Sequence, residues 1–294
     1  MIEVNDLKKR YGKNDVLKGV SFSVKENEIF GLLGPNGAGK TTTLECMEGL
    51  RKYESGAISI YGKSPKKAFS EHLTGVQLQS SSLPSGINVK EAMTLFCTWN
   101  GIRPRIDLLE TFGLSGMLTK TYKEMSTGQK RKLHLALALS HKPKVLFLDE
   151  PTAGLDVQAR VSLHSEIKKL KQQGVTIILA SHDMAEVASL CDRIGILVKG
   201  KISKIGTPDE IVMEVKREAI IKLKVDRKID GIKFKNLIPV NEVNGYYAFK
   251  TDNILDGLGA LIAYIKKEKI ELIDLVVDKP TLEERYVEIT KEGE

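Results

Sequence analysis

Residues 1–63 hold short stretches in which apolar and polar positions alternate, as in GVSFSVK (Gly19–Lys25) and GAISIYG (Gly56–Gly62). A period of two puts every second side chain on one face, so these stretches predict antiparallel strands joined by turns. Between them IFGLLG (Ile29–Gly34) is apolar without a break, the pattern of a strand covered on both faces. From about Asn88 to Lys142 the period lengthens and predicts helices. From Lys144 onward, unbroken apolar strands alternate with helical stretches: KVLFLD, a helix near Val157 to Lys171, VTIILAS, another helix, and RIGILVKG. This alternation predicts an α/β fold with a parallel sheet flanked by helices.

The pattern changes near Gly206. Thr207, Pro208 and Glu210 supply a cap, a proline at the first helical position and a capping acid. Beyond them lie AIIKLKV, with Ile221, Leu223 and Val225 on one face, and GYYAFK. A helix follows from about Asn253, with Leu255, Leu258, Ile262 and Ile265 at helical spacing, then IELIDLVV and a last helix through TLEERYVEIT. Two domains are expected: residues 1–214, with a helical subdomain at about 88–142, and a small α+β domain over 215–294.

Composition narrows the class. Hydrophobic residues at 41% and charged residues at 28% suit a globular chain and argue against disorder. No apolar run approaches the ~20 residues of a membrane-spanning helix. MIEVNDLKKR has no apolar signal-peptide centre, which argues against secretion. Cys46, Cys97 and Cys191 stand far apart, as reduced thiols do, without a C-x-x-C pair. The net charge of +7 is diffuse and no nucleic-acid module accompanies it, so nucleic acid is not an expected partner.

Three stretches carry chemistry. GPNGAGKT (Gly34–Thr41) follows a predicted strand and precedes a predicted helix, the context of a phosphate-binding loop. Gly34, Gly37 and Gly39 let the backbone wrap close to phosphates and turn its N–H groups inward. Lys40 places a positive charge near the β- and γ-phosphates, and the Thr41 hydroxyl suits Mg²⁺. VLFLDE ends an apolar strand in two acids, Asp149 to orient the metal and Glu150 to serve as general base for water. EMSTGQKRK presents a different puzzle. Ser126 and Gln129 have capping-box spacing, yet the first turn carries Lys130, Arg131 and Lys132, the charge a helix N-terminus disfavours. The stretch reads as a second anion seat.

Together, over residues 1 to about 209, these motifs resemble those of ATP-binding cassette (ABC) ATPase subunits. GPNGAGKT is similar to the Walker A motif and VLFLDE to Walker B. MSTGQ resembles the family signature LSGGQ, with Met125 for Leu and Thr127 for the first Gly. AGLD (Ala153–Asp156) resembles the D-loop, and ASHDM puts His182 at the switch-histidine position. The resemblance implies that Asn36 and Thr42 join the loop glycines, Lys40 and Thr41 around ATP, and that Tyr11 stacks on adenine. It places Gln79 in the Q-loop, as a catalytic residue and a metal ligand beside Thr41 and Asp149. Gln77 shares the strand face of Gln79, which is favoured as nearer the strand end.

In this family two cassettes pair head to tail, so Ser126, Gly128 and Gln129 are expected to face ATP held by the other copy. Thr127 is expected to slow the site, not to abolish it. The partners implied are an integral membrane permease and a second copy or a paralogous subunit. The place implied is the cytoplasm, peripheral on the inner face of the cell membrane. The C-terminal tail is similar to those of exporter ATPases. The alternative is a soluble ABC ATPase acting on ribosomes or DNA. A single cassette, and a stretch between Thr43 and Met125 too short for a long coiled coil, count against it. Trp99 reads as a core filler. His72, His134, His141 and His164 receive no role, and a metal cluster of His182, Asp183 and Glu186 is set aside.

Overall fold

The computed structural model describes residues 1–78, 82–213, 219–227, 234, 237–243, 245–278 and 281–292. The chain opens with strands β1 (Ile2–Tyr11), β2 (Asn14–Val24) and β3 (Ile29–Leu33), then helix α1 (Lys40–Met47) and strand β4 (Ser55–Ile60). β1 pairs antiparallel with both β2 and β4, so the two alternating stretches flank the N-terminal strand. Val20, Phe22 and Val24 are buried while Ser21 and Ser23 face solvent, as a two-residue period requires.

Next come α2 (Pro65–Ser70), β5 (Thr74–Gln77), α3 (Val89–Trp99), α4 (Ile106–Thr111) and α5 (Thr127–Ala138). They lead into β6 (Val145–Asp149), α6 (Val157–Gln172), β7 (Thr176–Ser181), α7 (Met184–Leu190), β8 (Arg193–Val198) and β9 (Lys201–Gly206). The second sheet has the order β5-β6-β7-β3-β8-β9. Its strands are parallel except β9, which returns antiparallel on β8. The mixed pattern of β9 and the six residues of α2 gave no clear periodic signal.

All of β3, β6 and β7 is buried. Their register matters most: Leu33 lies opposite Ser181, and Asp149 opposite Ala180. Three strands therefore end level, and the loops that leave them share one edge of the sheet. One core joins this sheet to the antiparallel one, with Phe22 and Phe30 stacked at 5.1 Å and Phe147, Ile178, Leu44 and Met47 packed around them. α1 is thereby seated on both sheets.

The helical stretch at 88–142 holds α3, α4 and α5, each of the first and last opened by a capping box. Trp99 is not a core residue. It ends α3 at 83% exposure, because the buried stripe of that helix is Val89, Ala92, Met93 and Cys97. Among the described residues no helix is long and apolar enough to cross a membrane.

The chain divides into two compact units, Met1–Pro208 with the C-terminal end from Ile289, and Asp209–Glu288. The last elements are α8 (Pro208–Met213), β10 (Ala219–Val225), β11 (Ile238–Val243), β12 (Tyr246–Thr251), α9 (Ile254–Lys267), β13 (Leu272–Asp278) and α10 (Leu282–Glu292). In the second unit an antiparallel sheet of order β11-β12-β10-β13 shares a core with α9, with Ile221, Leu223, Phe249 and Leu261 at its centre. The buried face of α9 matches the expected one at Ile265 and at Leu258, which packs against the core, and departs from it elsewhere. Gly257, Leu261 and Ile265 are buried, whereas Leu255 is 80% exposed and Ile262 is exposed. Asn253 caps the helix and fixes its phase. Gly257 then makes the close approach, since a β-carbon there would stand 3.0 Å from both Ile221 Cδ1 and Leu237 Cδ2. A periodicity built on large apolar residues overlooks that contact.

Phe147 has no exposed surface and sits where β6 meets the shared core. Phe147→Ala should lower stability by about 3–5 kcal/mol, read as a fall in the urea unfolding midpoint; an unchanged midpoint contradicts this core.

Candidate functional site

From the end of β3 the chain turns through Gly34–Gly39 into α1. Gly37 and Gly39 have φ of +81° and +108°, left-handed conformations that favour glycine. A β-carbon on Gly34 would meet the Leu197 carbonyl oxygen at 2.5 Å, and one on Gly39 would meet Leu17 Cδ2 at 2.6 Å. The loop is thus wrapped tightly against the strands, while Gly37 has nothing within 4 Å on its outer side. Lys40 Nζ reaches back across the loop and donates to the carbonyl oxygens of Gly34 (2.7 Å) and Pro35 (3.3 Å). Asn36, Gly37, Gly39, Lys40, Thr41 and Thr42 line a cleft of about 330 Å³, closed by Glu150 and by Asn14 and Val16 of β2. Asn14 and Val16 escaped the sequence reading, since only the turn after Tyr11 hinted at them.

Burial lowers the Lys40 ammonium from its usual range, opposed by the charges of Glu150 and Asp149. Burial pushes the Asp149 carboxyl up, while a hydrogen bond from the Thr41 hydroxyl pulls it down. Asp149 is 3% exposed and its Oδ1 has no hydrogen-bond partner. Buried carboxylate oxygens rarely lack a partner. One left open beside a hydroxyl and a phosphate loop is the hard oxygen donor set that Mg²⁺ takes, so the residues fit the metal.

Glu150 begins the loop after β6 with φ of +48°, a strained value for a non-glycine residue. Its N–H donates to the Ala180 carbonyl (2.9 Å), and its Oε1 lies 2.8 Å from His182 Nδ1 on the loop after β7. The level strand ends thus bring Lys40, Asp149, Glu150 and His182 together. They do not bring the signature stretch. Ser126 caps α5, accepting from the Gln129 N–H (3.3 Å) while Gln129 Oε1 accepts from the Ser126 N–H (3.1 Å) and from Lys120 (3.2 Å). Ser126 and Thr127 are exposed, and neither they nor Gly128 and Gln129 line the cleft.

The cationic first turn is not displayed as its sequence suggested. Lys130 folds over the Tyr122 ring at 4.8 Å. Arg131 is half-buried, which lowers its guanidinium, opposed by Tyr122, Asp149 and Glu150 of its own chain. Tyr11 is 40% exposed, with Lys9 Nζ 5.0 Å and Arg51 Cζ 6.0 Å from its ring, and it does not line the cleft. Gln77 ends β5 buried, with neither amide atom paired. Gln79 lies outside the described residues. His134 meets the Tyr122 hydroxyl at 2.9 Å and is pushed down to about 4 by burial and by Arg131, a neutral structural histidine.

Residues 17–153 match the sequence profile of the ABC transporter family. The chain is 33% identical to the linearmycin resistance ATP-binding protein LnrL of Bacillus subtilis (strain 168), over 99% of this chain and 98% of that protein. It is 39% identical to the Nod factor export ATP-binding protein I of Burkholderia orbicola (strain AU 1054), over 72% of each. It is also 39% identical to the spermidine/putrescine import ATP-binding protein PotA of Mycoplasma mycoides subsp. mycoides SC (strain CCUG 32753 / NCTC 10114 / PG1), over 73% of this chain and 63% of that one. A solved ATP-binding subunit of an ABC transporter superposes with a TM-score of 0.66 at 30% identity, over 73% of this chain and 92% of the other.

Glu48, the residue that caps the C-terminal end of α1, adds a pH dependence. It is 2% exposed, neither carboxyl oxygen is hydrogen-bonded, and burial with the nearby Asp149 and Glu45 pushes it from 4.5 up to about 8. The folded state therefore holds its proton more tightly than the unfolded chain, and stability falls as pH rises from 4.5 through about 8. Glu48→Gln should raise the urea midpoint increasingly over that window, with no gain below it. A gain independent of pH contradicts the assignment.

Proposed function

This chain belongs to the ABC transporter family of ATP-binding subunits, and from that premise we propose that it hydrolyses Mg-ATP between two cassettes paired head to tail. One observation carries the reading. The cleft of a single copy gathers the phosphate loop, Lys40 and Glu150, with His182 hydrogen-bonded to Glu150, yet the capped and exposed start of α5 does not line it. Helix N-termini favour anions, so Ser126 and the N–H groups around Gly128 serve the terminal phosphate of ATP held by the other copy.

Within one copy, Lys40 and the loop N–H groups hold the β- and γ-phosphates. Glu150 accepts a proton from the attacking water, and His182, hydrogen-bonded to its Oε1, fixes the carboxylate in place. Thr41 and Asp149, with Gln79 from the family pattern, would hold Mg²⁺, which when bound neutralises charge on the phosphates. Tyr11 stacks on adenine. Thr127 adds bulk where the second copy's phosphate approaches and slows turnover.

The proposed permease docks on the helical stretch. Leu95 and Trp99 stand one turn apart on α3 at 51% and 83% exposure. Such apolar surface marks an interaction site, and a membrane partner sets the chain on the inner face of the cell membrane. Export is favoured because a relative matching 99% of this chain is named for linearmycin resistance and another for Nod factor export, whereas the import protein matches 73% of this chain.

Glu150→Gln should retain ATP binding, lose nearly all turnover and accumulate as a dimer in Mg-ATP by light scattering; a persistent monomer counts against pairing around ATP. Lys40→Ala should lose ATP affinity in a nucleotide titration, and an unchanged curve removes Lys40 from the phosphate site.

A further inference from the structure

Glu186, on α7, lies outside the residues assigned so far, yet its carboxyl group is among the most enclosed in the first unit at 2% exposure. Each of its oxygens accepts from a different segment. Oε1 takes the Thr152 hydroxyl at 2.7 Å, and Oε2 takes the Ser181 hydroxyl at 2.5 Å. Thr152 stands two residues after Glu150, and Ser181 stands one residue before His182. Both hydroxyl residues are themselves buried, at 5% and 0% exposure.

Proton accounting fixes the directions. Ser181 Oγ already accepts from the Asp183 N–H at 3.0 Å, so its single proton goes to Glu186. Asp183 Oδ1 in turn accepts the Glu186 N–H at 3.0 Å, and its Oδ2 accepts from Arg160 of α6 at 3.1 Å. His164 of the same helix places Nε2 3.5 Å from Glu186 Oε1. The backbone of Glu186 is thus capped by Asp183, while its two carboxyl oxygens join the loop after β6 to the end of β7.

Glu150 keeps a left-handed backbone that strain disfavours, and such residues persist only where the surroundings over-determine them. We infer that Glu186 is a positioning residue that clamps the loop after Glu150 to the strand end bearing His182 and so sets the 2.8 Å contact between those two side chains. The clamp extends toward the signature helix. The Leu155 N–H donates to the Thr152 carbonyl at 3.1 Å, and a β-carbon on Gly128 would stand 4.0 Å from Leu155 and 3.1 Å from Ala159. A shift of Thr152 would be felt on both the hydrolytic side of the cassette and the side that faces the second copy.

The kinetic part rests on the hydrolysis proposed above; the structural part does not. Thr152→Val removes the hydroxyl donor to Glu186 Oε1 at nearly constant volume, while Thr152→Ser keeps the donor. For Thr152→Val, the maximal rate of ATP hydrolysis should fall about tenfold, with KM and nucleotide affinity unchanged. Amide exchange should quicken in segments 150–156 and 181–186 but not in α1. Thr152→Ser should restore both readouts. Wild-type rate and exchange in Thr152→Val overturn the clamp, as does a uniform rise in exchange across the first unit or a Thr152→Ser variant as impaired as the valine. If the wild-type chain does not hydrolyse ATP, the proposed function fails, and the exchange pattern alone upholds or overturns the clamp.

Discussion

One ammonium group and two carboxyl groups share a buried strip at the edge of a parallel sheet, and the rest of the cassette holds that strip together. Isolated charges are costly to bury. Lys40 tolerates burial because Asp149 and Glu150 lie close and two carbonyl oxygens accept its hydrogen bonds. The juxtaposition follows from register, with Leu33 level with Ser181 and Asp149 level with Ala180. A one-residue slip in any of these strands would turn alternate side chains to the other face of the sheet and separate the lysine from its acids. The core around Phe22, Phe30 and Phe147 holds that register, which makes packing far from the cleft a condition for its chemistry.

Much of this was written in local pattern. The phosphate loop, the acidic strand end and the Ser126–Gln129 capping box each depend on neighbours in sequence, and each stands in the structure as its spacing required. The strands of both N-terminal sheets were legible for the same reason. Legibility failed where partners are remote. Trp99 read as a core filler because aromatic residues usually are, but burial along α3 is set by the elements it packs on, and those take Met93 and Cys97 instead. The face of α9 was read correctly at Leu258 and Ile265 but missed at Gly257, its point of close approach, because glycine carries no hydrophobic signal. Glu48 and Glu186 look like ordinary helix-surface acids in sequence. Only the tertiary fold shows one buried without a partner and the other gripping two hydroxyl groups.

At the start of α5 the local reading of the lysines and arginine differs from the structure in one detail. Their charge suggested an anion seat, yet Lys130 and Arg131 turn back toward their own chain. What remains at the helix start is the Ser126 hydroxyl and exposed backbone, which suits phosphate through hydrogen bonding and the helix dipole. The two half-sites proposed above are therefore different in kind. One is a lysine-bearing loop set in a cleft; the other is the capped end of a helix, with Ser126 exposed.

A catalytic unit split in this way is tested by recombining its halves. A Lys40→Ala copy and a Ser126→Arg copy, each inactive by itself, would form mixed dimers with one doubly damaged site and one in which an intact Lys40 meets an intact Ser126. Rates measured across mixing ratios, with heterodimers confirmed by differential tags, should rise from near zero to a maximum at equal proportions. Tagged heterodimers that form and show no hydrolysis would place both halves of the reaction within a single copy.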